Sequence, residues 1–147
     1  MGIDVRPPGA ADRAGWEGLY AGYADHYRVA QTPAMRDVVW GWLLDPSHGT
    51  RGFVAVMAGR PVGLAHYRAF ARPLSASVGG YLDDLFVSPD ARGMGVAEAL
   101  IGAVAEEGRL RGWSVIRWIT AGDNARARAV YDRVAVATPW VTYDITL

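Results

Sequence analysis

The composition of the 147-residue chain limits what it can do. Fifteen acidic and fifteen basic residues give a formal net charge of zero, which argues against nucleic acid as a main partner. No cysteine is present and every basic residue is Arg, which excludes disulfides, a Cys nucleophile and a lysine base. Without a run of about 20 apolar residues or a secretory pattern, we expect a cytoplasmic, metal-free, single-domain protein spanning residues 1–147, with no membrane partner.

The first third of the chain predicts a short strand at residues 3–6 and two helices. The first helix begins near Asp12 and carries apolar residues at steps of three and four: Trp16, Leu19, Tyr20, Tyr23 and Tyr27. Such an aromatic stripe is typical of a buried face, and the wall of a ligand pocket is the alternative. Thr32-Pro33 predicts the start of a second helix, which ends near Asp45-Pro46.

A hairpin and a central strand follow. Residues 53–57 and 62–70 are rich in strand formers and are separated by a turn at residues 58–61, so we expect them to pair antiparallel. Gly79-Gly80 then leads into a strand at residues 81–87. Both the hairpin and the strand end at glycine or proline, which mark turns.

The loop after the central strand carries the most specific signal. Arg92-Gly93-Met94-Gly95-Val96-Ala97 stands between that strand and a helix. Two glycines let the backbone approach a ligand, and the helix start and Arg92 add positive charge. We interpret the loop as a pyrophosphate cradle, with a tight strand–helix turn as the alternative. A Rossmann loop would need a small residue in place of Glu98, and a P-loop would need a lysine.

The last third predicts a parallel strand, a helix and a final strand. Residues 114–120 are β-branched, and the helix at residues 95–111 gives the connection from strand 81–87 the length of a crossover. Asn124 is placed to cap the last helix, and Tyr131 lies on its apolar face, where it could simply be a core residue. Residues 140–147 alternate apolar and polar and predict a final strand.

Three motifs in this half resemble the GNAT superfamily of acyl-CoA-dependent N-acyltransferases. The loop matches the family pattern R/Q-x-x-G-x-G/A at Arg92, Gly95 and Ala97, and the strand LDDLFV resembles L-E-D-L/I-Y/F-V. The helix from Asp123 to Tyr131 resembles D/E-N-x-x-A-x-x-L-Y. The motifs occur in the family's order and are most similar to its diamine, polyamine and histone-type branch. The family's Gly-Phe pair after this helix is absent here, so the local turn should differ.

The resemblance implies an α/β (α+β) fold. Its mixed, mostly antiparallel sheet would have about six or seven strands, flanked by about four helices, with strands 81–87 and 114–120 parallel and splayed apart. The arm of acetyl-CoA would lie between them, pairing with the backbone of Leu85 and Val87 as an added strand. The implied donor site comprises Leu85, Phe86, Val87, Arg92, Gly93, Met94, Gly95, Val96, Ala97, Asn124 and Tyr131.

The resemblance also assigns residues to an acyl transfer. The attacking amine must lose a proton, and a carboxylate acting through water can take it. Asp83 aligns with the family's Glu in that role, whereas Asp84 is expected on the opposite face of the strand. A backbone N–H near Phe86 or Val87 would bind the oxyanion, and Tyr131 would protonate the departing thiolate.

The acceptor is predicted from the same resemblance. Its amine would lie beside the first two helices and contact Tyr23, His26, Tyr27, Asp83 and Trp140. The paired acids and the aromatic helix indicate a small cationic amine such as a polyamine, and amino acids and peptide amines remain open. We expect a homodimeric N-acetyltransferase that uses acetyl-CoA by direct attack in a ternary complex. A different acyl donor or acceptor, or a non-catalytic acyl-CoA-binding module, is the alternative.

Overall fold

A computed structural model describes residues 2–147. Its strands are β1 (Asp4–Arg6), β2 (Arg51–Met57), β3 (Arg60–Arg72), β4 (Ser77–Val87) and β5 (Ile116–Arg117). Its helices are α1 (Arg13–His26), α2 (Pro33–Leu44), α3 (Val96–Arg111) and α4 (Ala125–Val134). In the part of the chain that the structure describes, no helix is both long enough and apolar enough to cross a bilayer.

The five strands form one mixed sheet in the order β1-β2-β3-β4-β5. All neighbours are antiparallel except β4 and β5, which are parallel and joined by the crossover helix α3. This mixed α/β architecture with four helices and one parallel pair confirms the predicted fold class. The described residues form five strands, however, rather than six or seven.

The sheet is smaller than predicted because two β-prone stretches lie largely outside it. The strand expected at residues 114–120 is reduced to Ile116–Arg117, which pairs with β4 only at Gly80 and Tyr81. The prediction of a strand at residues 140–147 was wrong, because this segment forms no strand. β-propensity favours an extended chain, but a strand also needs a neighbouring edge, and the described residues form no ladder with this segment.

The sheet separates two apolar clusters. On one side, here called the α3 face, α3 buries Val96, Leu100 and Val104 against the strands. On the other, the α1 face, Trp16 and Leu19 of α1 and Trp40 of α2 cover Val54, Leu64 and Phe86. Because the clusters lie on opposite sides, alternate residues of the central strands serve different faces.

A β-bulge in β4 places two acidic side chains on one face. His66 of β3 pairs with Asp84, but the next residue of β3 pairs with the residue before Asp83, so Asp83 is the extra residue. Asp84 reaches α1, where it contacts Tyr20. Asp83 forms an ion pair with Arg68, which lies two residues beyond His66 and therefore on the same face of β3. The strict alternation expected from the sequence does not hold here.

Candidate functional site

The second half of β4 has an unpaired edge, here called the open edge. Beyond Tyr81, no strand of residues 2–147 lies beside β4 on the side of β5. The N–H of Ser88 donates to the C=O of Val62 in β3 at 2.7 Å. Since backbone groups alternate in direction along an antiparallel strand, those of Leu85 and Val87 point to the open edge. An extended ligand can pair with them as a strand would.

The loop between β4 and α3 turns on two left-handed glycines. The φ angles of Gly93 and Gly95 are 78° and 84°, values that strain any residue with a Cβ. Gly95 caps α3 without a side chain, and among residues 2–147 the N–H groups of residues 93–98 donate to no backbone acceptor. A Cβ added at either glycine would meet no atom within 4 Å. Free N–H groups facing open space at a helix start fit a phosphate.

A cavity of about 270 Å³ lies where this loop, the open edge, α1 and α4 meet. The predicted donor residues that line it are Leu85, Phe86, Val87, Arg92, Gly93, Gly95, Val96, Ala97, Asn124 and Tyr131. Met94 is the exception, since its side chain is exposed and lies outside the lining. His26 and Tyr27, predicted for the acceptor, also line the cavity. Folding thus brings the end of α1 to the motifs of the second half.

Tyr131 closes the cavity from α4. Its ring packs edge-on against Trp118, with 5.4 Å between ring centroids. The side-chain oxygen of Asn124 accepts from the N–H of Ala127 at 3.3 Å and so caps the helix that carries Tyr131. Burial raises the pKa of Tyr131, with a smaller contribution from Tyr27. The phenol therefore stays protonated at neutral pH and can donate a proton.

Three charged residues of the cavity were not singled out from the sequence. Glu98, Arg126 and Arg133 line it, and an ion pair between Glu98 and Arg133 joins α3 to α4. The sequence offered one signal for Arg126. It stands in the first turn of α4, and an arginine there suits an anion. The pairing of Glu98 with Arg133 depends on how the two helices pack and had no local signal.

The remaining predicted acceptor residues lie outside this cavity. On the α1 face, Tyr23 stands between Tyr20 and Tyr27, with ring centroids 6.2 and 4.9 Å away, and stacks on Phe86 at 5.9 Å. The aromatic stripe of α1 is thus core at its start and reaches the cavity at its end. Trp140 is 81% exposed and lies in neither the stripe nor the cavity.

The two neighbouring carboxylates have different environments. The Oδ2 atom of Asp83 lies 3.0 Å from Nε of Arg68. Burial is the largest influence on Asp83 and raises its pKa above the ordinary 3.8, although Arg68 opposes the change. Asp84 instead accepts from the hydroxyl of Tyr20 at 2.9 Å and lies 2.8 Å from Nδ1 of the buried His66. Within residues 2–147, no group of three or more His, Cys, Asp or Glu could hold a metal ion.

Solved structures share this arrangement of strands and helices. A ribosomal-protein-alanine N-acetyltransferase from Brucella melitensis biovar Abortus has a TM-score of 0.82 at 24% identity, covering 100% of both chains. The aminoglycoside N-acetyltransferase AAC(6')-Iy, crystallised with CoA, has a TM-score of 0.85 at 21% identity, covering 99% of this chain and 95% of that chain. At these identities the similarity shows the fold alone.

The sequence comparisons show the family. The model of the acetyltransferase (GNAT) family matches residues 16–135, which include all three motifs, so the chain belongs to the GNAT family and is an acyltransferase. It is 28% identical over 134 residues to a D-amino-acid N-acetyltransferase of Saccharomyces cerevisiae, covering 90% of this chain and 83% of that protein. It is 35% identical over 85 residues to a thialysine N-epsilon-acetyltransferase of Caenorhabditis elegans, covering 56% and 51%. The predicted resemblance is confirmed.

The glycine loop generates the first prediction. Gly95→Val should weaken CoA binding on the order of 100-fold, because a β-branched side chain at a φ of 84° displaces the loop and removes backbone hydrogen bonds to phosphate. Calorimetric titration with CoA measures the change. Gly102→Val is the matched control, since it adds the same side chain to α3 at an exposed position where a Cβ meets no atom within 4 Å. Equal affinity in the two variants would refute the cradle.

Proposed function

We propose that the protein transfers an acetyl group from acetyl-CoA to a primary amine by direct attack within a ternary complex. The observation that carries this proposal is the single cavity in which the open edge of β4, the glycine loop and Tyr131 meet. Residues 1–147 would act as one catalytic domain. The GNAT family supplies the reaction class, and the structural neighbour that binds CoA supports the donor.

The chain's own groups fit the parts of the donor. The N–H groups of the glycine loop, including that of Met94, those at the start of α3, and the guanidinium of Arg92 suit a pyrophosphate. The guanidinium is held beside the cavity by a bond from Nε to the C=O of Val87 at 3.3 Å. The backbone groups of Leu85 at the open edge suit the amides of an extended arm, whereas the C=O of Val87 already accepts from Arg92 and its N–H is left for the thioester carbonyl. When bound there, acetyl-CoA supplies the thioester carbonyl that an amine attacks.

Three groups are proposed to assist the transfer. Asp83 takes the proton of the amine through water, and its raised pKa suits a base better than that of an ordinary carboxylate. The N–H of Val87 faces the open edge and binds the negative charge that develops on the carbonyl oxygen, whereas that of Phe86 points to β3. As the C–N bond forms and the C–S bond breaks, Tyr131 gives its proton to the thiolate.

A small amine that carries positive charge is the proposed acceptor. The support is the pair of carboxylates on the α1 face, next to aromatic residues whose row leads to the cavity. We propose that Tyr23, His26 and Tyr27 contact this acceptor. A free amino acid is the second candidate, favoured by the similarity to the yeast D-amino-acid N-acetyltransferase. The cytoplasmic location and the absence of nucleic-acid and membrane partners stay predictions of the sequence.

We further propose a homodimer formed through the C-terminal segment, residues 136–147. Its side chains Val141, Tyr143 and Ile145 are exposed, and an apolar surface of this kind marks an interface. The outer edge of β5 also has no partner among residues 2–147. One chain therefore carries both an unpaired strand-forming segment and an unpaired edge, and two copies related by a twofold axis can satisfy both. Trp140 would enter the interface or the neighbouring site in this way.

The reaction is tested by release of free CoA from acetyl-CoA with a panel of polyamines, amino acids and basic peptides. Tyr131→Phe should lower kcat about 100-fold, because the thiolate loses its proton donor, while CoA affinity changes little. Tyr67→Phe is the control: Tyr67 is buried in the same apolar cluster, and it does not line the cavity. An unchanged rate in the Tyr131 variant would make Tyr131 a core residue only.

The role of Asp83 predicts a change in pH dependence. Because burial raises the pKa of Asp83, the native carboxylate becomes protonated at a higher pH than an ordinary aspartate as the pH falls, and the base is then lost. In Asp83→Asn no carboxylate takes the proton, and kcat/KM should follow the ionisation of the free amine, moving the profile to higher pH. Rates measured with one amine between pH 5 and pH 10 test this. Superimposable profiles would place the base elsewhere.

The dimer is tested by light scattering. The native protein should have twice the chain mass of 15.9 kDa, and Tyr143→Asp combined with Ile145→Asp should reduce the mass to that of one chain. Thr142→Asp combined with Thr146→Asp adds the same charge to the other side of the segment and should be tolerated better. A native protein of 15.9 kDa would exclude the proposal.

A further inference from the structure

Asp84 belongs to a buried polar chain that the proposed transfer does not use. The indole N–H of Trp16 donates to Nε2 of His66 at 2.9 Å. Because Nε2 accepts a hydrogen bond, the proton of the imidazole lies on Nδ1, which then donates to Oδ2 of Asp84 at 2.8 Å. The hydroxyl of Tyr20 donates to the same oxygen at 2.9 Å. His66 and Tyr20 thus hold the carboxylate of Asp84 from two sides.

The hydrogen bonds from His66 and Tyr20 leave the second carboxylate oxygen of Asp84 free. Among residues 2–147, the Oδ1 atom of Asp84 accepts no hydrogen bond. It is not one of the buried side-chain atoms that lack a partner, so solvent reaches it. No arginine of the described residues forms an ion pair with Asp84, whereas Arg68 pairs with Asp83. The imidazole of His66, which accepts from Trp16, is neutral and does not compensate the charge. A fixed, partly buried carboxylate without a cationic partner in the protein is suited to bind a cationic group of a ligand.

An aromatic row connects Asp84 with the cavity. Tyr20 contacts Asp84, Tyr23 follows one turn later, and Tyr27 lines the cavity together with Tyr131. From Tyr20 to Tyr27 the helix rises about 10 Å. Burial raises the pKa of Tyr23, and Asp84 and Tyr131 both add to the rise, so its hydroxyl lies within electrostatic reach of each. The faces of tyrosine rings attract cations.

We propose that Asp84 anchors a second cationic group of the acceptor while the reacting amine lies beside Tyr131. The inference rests on the proposed function and specifies its substrate as an amine with two positive charges up to about 10 Å apart. Asp84 determines specificity and does not touch the reacting atoms. His66 and Tyr20 are positioning residues, because each holds the carboxylate without reaching the acceptor's reacting amine.

The experiment compares 1,3-diaminopropane through 1,8-diaminooctane with the monoamine of equal carbon number. The native protein should prefer the longer diamines in kcat/KM. Asp84→Asn should lower the ratio of diamine to monoamine by about 10-fold to 100-fold, mainly through KM, with acetyl-CoA affinity retained. Tyr20→Phe, which keeps the ring, should lower the ratio by about threefold to tenfold, since one of two holding bonds is lost.

Asp83→Asn is the matched control, because Asp83 is the adjacent carboxylate on the same face. It should slow both kinds of amine alike and leave the ratio as it is in the native protein. A ratio unchanged by Asp84→Asn would overturn the proposal. Equal loss with diamine and monoamine in that variant would overturn it too, since a structural or proton-transfer role would do the same. If the Asp84 variant does not fold, as thermal melting would show, the Tyr20→Phe ratio decides in the same way.

Failure of the proposed function gives a different result. If the native protein turns over no amine, calorimetric titration with 1,6-diaminohexane still tests the subsite. Binding that weakens in Asp84→Asn but not in Asp83→Asn would support the anchor on its own. Absence of binding, or equal binding by all three proteins, would overturn it.

Discussion

The separation of β4 from β5 is the constraint around which the site is arranged. Backbone groups of a strand need partners, and beyond Tyr81 the groups of Leu85 and Val87 have no strand beside them. The glycine loop begins where this open edge ends, and α4 brings Tyr131 to the same place. One strand therefore presents a pairing edge and leads directly into a helix N-terminus, which together suit a long ligand with amides at one end and phosphates at the other.

The two faces of the sheet contribute different parts of the candidate site. The α3 face packs the crossover helix firmly, which holds the start of α3 in position. The α1 face gathers the aromatic row and both carboxylates. The bulge at Asp83 is the local irregularity that makes this possible, since bulges redirect side chains without ending a strand. Asp83 has a cationic neighbour and Asp84 a buried histidine, so the two acids are suited to different tasks.

Much of the proposed donor site could be located from the sequence because its signals are local. A strand, a breaker, two glycines and a helix lie within twenty residues, and the loop's N–H groups point as they do because of the backbone angles of those glycines. The residues predicted for the acceptor were harder to place. Of these, Tyr27 lines the cavity and Trp140 does not, and their contact with an acceptor stays a prediction. The strand predicted at residues 140–147 failed because propensity measures how well a residue suits a strand and does not supply the neighbouring edge.

By itself, the sequence determined the family, the order of the helices and strands as far as α4, and the glycine loop between β4 and α3, since these depend on periodicity, turn residues and motifs that neighbours in the chain define. Only the tertiary structure decided that Asp83 and Asp84 share a face and that His66 holds Asp84. The physical reason is the pairing of β3 with β4. A period of two predicts opposite faces for adjacent residues, and the extra residue that breaks this period arises from the register between two strands, which no local pattern encodes.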